Sequence, residues 1–150
     1  MCTTCPRHGR LLHWNQRPPT LPPAELARYE EAEAPARRAL DIMAASLGEN
    51  HPNTIAALGN LSNILARLGR YEESLTLAEA QVSAARSLDP GEAVVALANR
   101  SNIAHEANDG ALALSMAEQA ADLAATLPAE NRKAIKGMTV LALRQEEAGN

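Results

Sequence analysis

The stretch Ala27-Arg28-Tyr29-Glu30-Glu31-Ala32 returns 42 residues later as Gly69-Arg70-Tyr71-Glu72-Glu73-Ser74. The two phrases hold the only two tyrosines of a 150-residue chain. Self-similarity at a fixed spacing of this size marks a repeat array, in which no unit buries its apolar flank alone and each must stack on its neighbours. Outward from the second phrase, Leu58, Leu61, Leu65 and Leu68 fall at i, i+3, i+7 and i+10. That single apolar stripe predicts a helix over about residues 53–68. Gly69 predicts its end, because glycine takes left-handed backbone at no steric cost. Tyr71 then opens a second helix, with Leu75, Leu77, Ala78 and Val82 inward and Leu88 near its end, closed by Asp89-Pro90-Gly91.

A third unit follows at a spacing of 39. Leu58-Gly59-Asn60-Leu61-Ser62-Asn63-Ile64 becomes Leu97-Ala98-Asn99-Arg100-Ser101-Asn102-Ile103, and Leu77-Ala78-Glu79-Ala80-Gln81 becomes Met116-Ala117-Glu118-Gln119-Ala120. Asn108-Asp109-Gly110 is the expected inter-helix turn. The shortening fits the connection between units, where Asp89-Pro90-Gly91-Glu92 replaces the longer Gly48-Glu49-Asn50-His51-Pro52-Asn53. A fourth unit begins, with Met138, Leu141 and Ala142 matching Leu97, Arg100 and Ser101. The first unit has the opposite form: Leu26-Ala27-Arg28-Tyr29 opens a second helix that runs to about Leu47, with no first helix before it. Residues 6–23 carry Pro6, Pro18, Pro19, Pro22 and Pro23, which exclude a long helix. Pro35 is expected to cost that first-unit helix one backbone bond and to bend it. The chain therefore divides into an irregular, proline-rich segment over 1–23 and a helical array over 24–150, with six helices joined by short turns.

Composition agrees. There is no phenylalanine and aromatic content is 2%, while 31 alanines, all from Ala24 onward, replace the usual bulky core. One large core is hard to fill with alanine, whereas thin layers of closely spaced helices are not, and alanine is the best helix former. Residues 1–24 carry about +3 and the remainder about −7 of the net −4. An acidic body nearly free of stacking rings argues against nucleic acid. No apolar run approaches the ~20 residues of a membrane span, which argues against a membrane partner. The N-terminus lacks the apolar stretch of a signal peptide, and two cysteines give no disulfide framework, so a cytoplasmic setting is expected.

Tyr29-Glu30-Glu31-Ala32-Glu33, Arg37-Arg38-Ala39-Leu40, Leu47-Gly48-Glu49-Asn50-His51-Pro52-Asn53-Thr54 and Leu58-Gly59-Asn60-Leu61 together resemble the 42-residue tetratricopeptide repeat of the kinesin light chain type. The resemblance covers roughly residues 26–150 and weakens toward the end. It implies an all-α, short right-handed α-solenoid of helix-turn-helix pairs, and the Ala- and Arg-rich composition points to a high-GC bacterial source. Arg100 stands where the family prefers leucine and Gly110 where it prefers the tyrosine of the second helix; both are expected to loosen the third unit. The resemblance also implies that the first helices of successive units line a concave wall.

On that wall the exposed positions expected to meet a partner are Asn60, Asn63 and Arg67, then Asn99, Asn102, His105 and Glu106, and on the last helix Leu143 among Lys136, Thr139, Val140, Glu146 and Glu147. Asn60 and Asn63 recur as Asn99 and Asn102, three apart and so on one helical face. An asparagine amide both donates and accepts, as an extended peptide backbone does. Two readings stand: contacts to a bound peptide, or bonds to one another and to the next unit that set the stacking. Arg67 suits an acidic residue of a partner, and Glu106, Glu146 and Glu147 a basic one. His105 has no partner placed to orient it as a base and reads as a solvated groove-edge histidine.

Cys2-Thr3-Thr4-Cys5 with His8 and His13 offers four ligands, but the two-residue spacer between the cysteine pair and His8 is unlike an established zinc site, so no metal and no cofactor are expected. There is no phosphate-cradling loop, nucleophile motif or metal-binding helix pair, which argues against an enzyme. The leading expectation is a protein–protein interaction module that holds a peptide or helix of a partner in its concave groove. The alternative is a regulatory segment of a larger signalling protein. Apolar faces at both ends also fit end-to-end self-association.

Overall fold

The computed structural model describes residues 21–149, and these form six helices: α1 (Pro23–Leu47), α2 (Pro52–Arg67), α3 (Tyr71–Leu88), α4 (Pro90–Glu106), α5 (Gly110–Ala124) and α6 (Arg132–Gly149). No strand occurs among the described residues. Each helix packs on the next in sequence, and α2 with α4 and α4 with α6 also touch directly. This is the nearest-neighbour pattern of a helical solenoid. Three-residue turns pair α2 with α3 and α4 with α5; on that pairing α2, α4 and α6 are the first-type helices and α1, α3 and α5 the second-type helices.

Two kinds of joint alternate along the chain. The turns within a pair have equal length: residues 68–70 join α2 to α3, and residues 107–109 join α4 to α5. In the first, Gly69 has φ 75°, its N–H donates to the Ala66 carbonyl at 2.9 Å and the Arg70 N–H to the Leu65 carbonyl at 2.9 Å. In the second, Asn108 has φ 63°, and the Asn108 and Asp109 N–H groups reach the His105 and Ala104 carbonyls at 2.9 Å each. Both satisfy carbonyls that a helix end leaves open, and asparagine is among the few residues besides glycine that take this backbone readily. Asp109 Oδ1 then accepts from the Leu112 N–H at 3.0 Å and caps α5. Joints between pairs vary. Residues 48–51 connect α1 to α2, the single residue Asp89 connects α3 to α4, and residues 125–131 connect α5 to α6. The expected loop at Asp89-Pro90-Gly91 is thus no loop: Asp89 ends α3, its Oδ2 accepts from the Glu92 N–H at 3.1 Å, and Pro90 already lies in α4. Proline there costs no hydrogen bond, because the first N–H of a helix has no internal partner.

Pro35 lies within α1, which runs unbroken through it; its side chain is exposed and the missing N–H costs only the local bond. The expected stripe of α2 is buried at Leu61 and Leu65 and half-buried at Leu58 and Leu68, with Ile55 and Ala66 completing it. Inward residues of α3 are Tyr71, Ala78, Val82 and Ala85, while Leu75 and Leu77 are half-buried and Leu88 is exposed.

The interior is a set of thin clusters strung along the array. Ile55, Val82, Ala85, Ala93, Leu97, Met116 and Ala120 share one, and Tyr71 packs with Ala66, Ala78, Ile103 and Ala107 in another. Small residues carry the pair contacts: Ala98, Ala113, Ala117 and Ala120 are fully buried. Where even alanine is too large, glycine stands. A Cβ on Gly137 would lie 2.8 Å from Val94 Cγ1, 2.9 Å from the Ala120 carbonyl oxygen and 3.1 Å from Ala124 Cβ. The backbone of α6 therefore rests directly on α4 and α5. Gly110, at the start of α5, has open space around the same position. Arg100, expected to loosen the third unit, reaches across to α3, its Nη2 3.1 Å from Glu79 Oε2, while its buried Nε has no hydrogen-bond partner among the described residues.

Between α1 and α3 the repeated phrase builds an ionic cluster. Arg37 and Arg70 both bridge Glu33 and Glu73; Arg70 Nη1 lies 2.6 Å from Glu33 Oε1 and Arg37 Nε 2.9 Å from the same oxygen. Burial raises the Glu33 carboxyl, but the two guanidiniums together outweigh it and hold it below the usual range. The Arg37 hydrogen bond is the largest influence lowering Glu73.

Gly137→Ala should lower unfolding free energy by about 1–3 kcal/mol, because backbone must move to admit the methyl. Gly110→Ala should be neutral or add about 0.4–1 kcal/mol by restricting the unfolded chain. Urea unfolding followed by circular dichroism checks both. The ionic cluster should add stability above the unfolded glutamate value of about 4.3 and lose it as pH falls through the lower folded values. For an exposed network this is worth ~1 kcal/mol, and Glu33→Gln with Glu73→Gln should flatten that acid-side slope in melting temperature measured against pH.

Candidate functional site

The direct contacts α2–α4 and α4–α6 have no counterpart among α1, α3 and α5, which do not touch one another at the backbone. First-type helices thus sit closer together than second-type ones, and the array curves with α2, α4 and α6 on its inner wall. A groove of about 480 Å³ opens there. α2 contributes Asn63, Ile64 and Arg67; α4 contributes Asn99, Asn102, His105 and Glu106; Tyr29 of α1 and Arg144 of α6 stand at its two ends.

The sequence-expected residues divide by what they touch. Asn63 lies exposed in the groove with no hydrogen-bond partner among the described residues. Asn60 is exposed on α2 outside the groove lining. Asn99 and Asn102 are held by the next unit: Lys136 Nζ donates to Asn99 Oδ1 at 3.2 Å, and Arg144 Nη2 to Asn102 Oδ1 at 2.8 Å. Each carbonyl oxygen spends one lone pair on a cation, so these two amides keep their Nδ2 donors and one acceptor site each. Arg67 and Glu106 pair across units, Nη1 to Oε1 at 3.6 Å. Both remain partly exposed, and such a pair is worth little in water. His105 Nδ1 lies 3.3 Å from Glu147 Oε2. Leu143 is 48% exposed and does not line the groove, and Val140, expected on that wall, is buried against Ala98 and Ala117.

Arg144 is the groove residue that the sequence reading passed over. Its side chain is 9% exposed, its Nη1 lies 2.5 Å from Glu147 Oε2, and its buried Nε has no hydrogen-bond partner among the described residues. The Arg144 hydrogen bond holds the Glu147 carboxyl below the usual range. Two signals mark this position. At the spacing of 41 that aligns Met138 with Leu97, Arg144 falls on Ile103. The neighbour that Ile103 has in Tyr71 becomes Gly110 one unit on. A large apolar contact has been replaced by a glycine and a long cation together.

No group of three or more His, Cys, Asp or Glu able to hold a metal occurs among the described residues, and none of their helices is long and apolar enough to cross a membrane. Cys2, Cys5, His8 and His13 lie outside the described residues, as does the proline-rich segment up to Thr20.

Residues 24–87, which span α1, α2 and α3, match a family described as Tetratricopeptide repeat. No curated protein matches the chain. With six helices paired as above, the match supports a tetratricopeptide repeat protein, and that family is a non-catalytic repeat module that mediates protein–protein interaction.

Arg144→Leu should keep stability within about 1.5 kcal/mol of the native chain, since it restores the apolar register residue and removes an orphaned donor. Arg144→Ala should lower it by about 2 kcal/mol or more through lost packing and two lost bonds. Chemical denaturation distinguishes them.

Proposed function

We propose that this chain is a cytoplasmic interaction module of the kinesin light chain type, whose α2–α4–α6 groove receives an extended segment of a partner protein. The observation that carries the reading is Asn63. An amide with two N–H donors and two acceptor sites stands, with no protein partner among the described residues, in a concave polar groove lined from α1, α2, α4 and α6. Beside it the Nδ2 groups of Asn99 and Asn102 suit the carbonyls of a peptide laid along the wall. The Arg67–Glu106 pair is long enough to open for a charged side chain of either sign at small cost. Ile64 and Ile103 supply an apolar floor. Binding of this kind is equilibrium capture with no chemistry, and acidic composition keeps nucleic acid out.

The groove separates two roles that share one residue type. Asn63→Ala should leave the melting temperature unchanged and weaken capture of the partner about fivefold, the worth of one hydrogen bond near 1 kcal/mol. Asn102→Ala should lower the melting temperature, because it strips Arg144 of a bond. The partner is isolated by pull-down from the native host with mass-spectrometric identification, and its affinity for each variant is measured by calorimetry. Equal affinity of the native chain and Asn63→Ala would place the binding surface elsewhere.

A further inference from the structure

The two ends of the array are halves of one hairpin. α6 is a first-type helix and α1 a second-type helix, and among the described residues no second-type helix lies on the open face of α6 and no first-type helix pairs with α1 from the N-terminal side. The open faces carry the residues that close a pair elsewhere in the chain. On α4, Val94, Leu97, Ala98 and Ser101 are almost wholly buried, and α5 meets this stripe with Ala124, Ala120, Ala117 and Ala113. At the spacing of 41 the α4 set becomes Ile135, Met138, Thr139 and Ala142 on α6, where all four are exposed; Ile135 is 54% exposed against none for Val94. At the combined spacing of 42 and 39 the α5 set becomes Met43, Ala39, Ala36 and Ala32 on α1, each only half-buried.

We propose that α1 of a second copy docks on the exposed face of α6 and completes the fourth pair, so that copies of this chain join head to tail. The register assigns the contacts: Ile135 against Met43 of the second copy, Met138 against its Ala39, Thr139 against its Ala36 and Ala142 against its Ala32. The match is large against small in the middle of the stripe, as Leu97 is against Ala120 within the chain. The joint continues an interface the chain already builds, with the same small residues permitting the same close approach. One bond is lost relative to the internal pair: Ser101 Oγ donates to the Ala113 carbonyl at 2.7 Å, and Ala142 has no hydroxyl to do so. The join is accordingly weaker than the internal one. Because the two patches differ, the contact is heterologous and each copy leaves one patch free for another.

Sedimentation of the 150-residue chain tests this. The native chain should show mass rising with concentration through two copies and beyond. Met138→Glu and Ala39→Glu, each alone, should weaken association by more than about a hundredfold, since each buries a carboxylate without a partner. Met138 is 46% exposed and Ala39 is only partly buried in the single chain, so helical circular dichroism should stay unchanged. Mixing the two variants is the decisive arm. One retains an intact α1 and the other an intact α6, so together they should form complexes of two copies and no larger. A native chain that is monomeric at all concentrations would overturn the proposal. So would growth that stops at two copies with no recovery in the mixture, which signals a two-fold contact instead. Neither variant touches Asn63 or the groove, so partner capture stays independent of this result.

Discussion

Close approach between helix backbones is the condition on which everything else in this array rests. Within each pair small residues of one helix meet larger ones of the other, as Ala120 and Ala124 meet Leu97 and Val94, and between units, at Gly137, a hydrogen stands where any side chain would strike the Ala120 carbonyl. Small residues bring little apolar area each, so burial must come from many contacts at short range rather than from a few large side chains. No unit can supply them by itself. Stability then passes from neighbour to neighbour, and a loss at one interface is felt first by the units that share it.

The same closeness makes the groove. Because α2, α4 and α6 approach more tightly than α1, α3 and α5, the wall they form is concave and their outward side chains converge. Cations of α6 hold the asparagines of α4 by their oxygens, while Asn63 of α2 has neither half of its amide engaged among the described residues. Repetition in sequence has been turned to different ends at successive positions: one copy of the Asn-x-x-Asn pattern ties units together and the preceding copy does not.

Much of this was legible in the residues. The doubled Tyr-Glu-Glu phrase and the leucine spacing of α2 specify helix pairs, and Gly69 and Asn108 mark turns because few residues take left-handed backbone. What the sequence hid depends on facts that periodicity does not carry. Asp89 could not be seen to end one helix and cap the next, since a cap and a loop use the same residue types. Pro35 read as a lost bond and a bend; α1 continues as helix on both sides of it, with the side chain exposed. In the site, Asn63, Arg67, Asn102 and His105 fell on the expected face because helical spacing fixes angle. Leu143 and Val140 did not, because the rotation of α6 is set by Gly137 and Arg144 rather than by its apolar pattern. A long cation stood at the register place held by Ile103 and a glycine in the tyrosine's slot, but periodicity does not say that Arg144 turns to Asn102 and Glu147.

The joints described above alternate between a constant and a variable. Each reversal inside a hairpin spans three residues with matching carbonyl contacts, whereas the passages from one hairpin to the next span four, one and seven. Insertions and deletions can therefore accumulate only on the edge of the molecule where those passages emerge. The repeat length of such a protein drifts without disturbing its curvature, and loops grown at that edge gain decoration while the opposite edge stays bare.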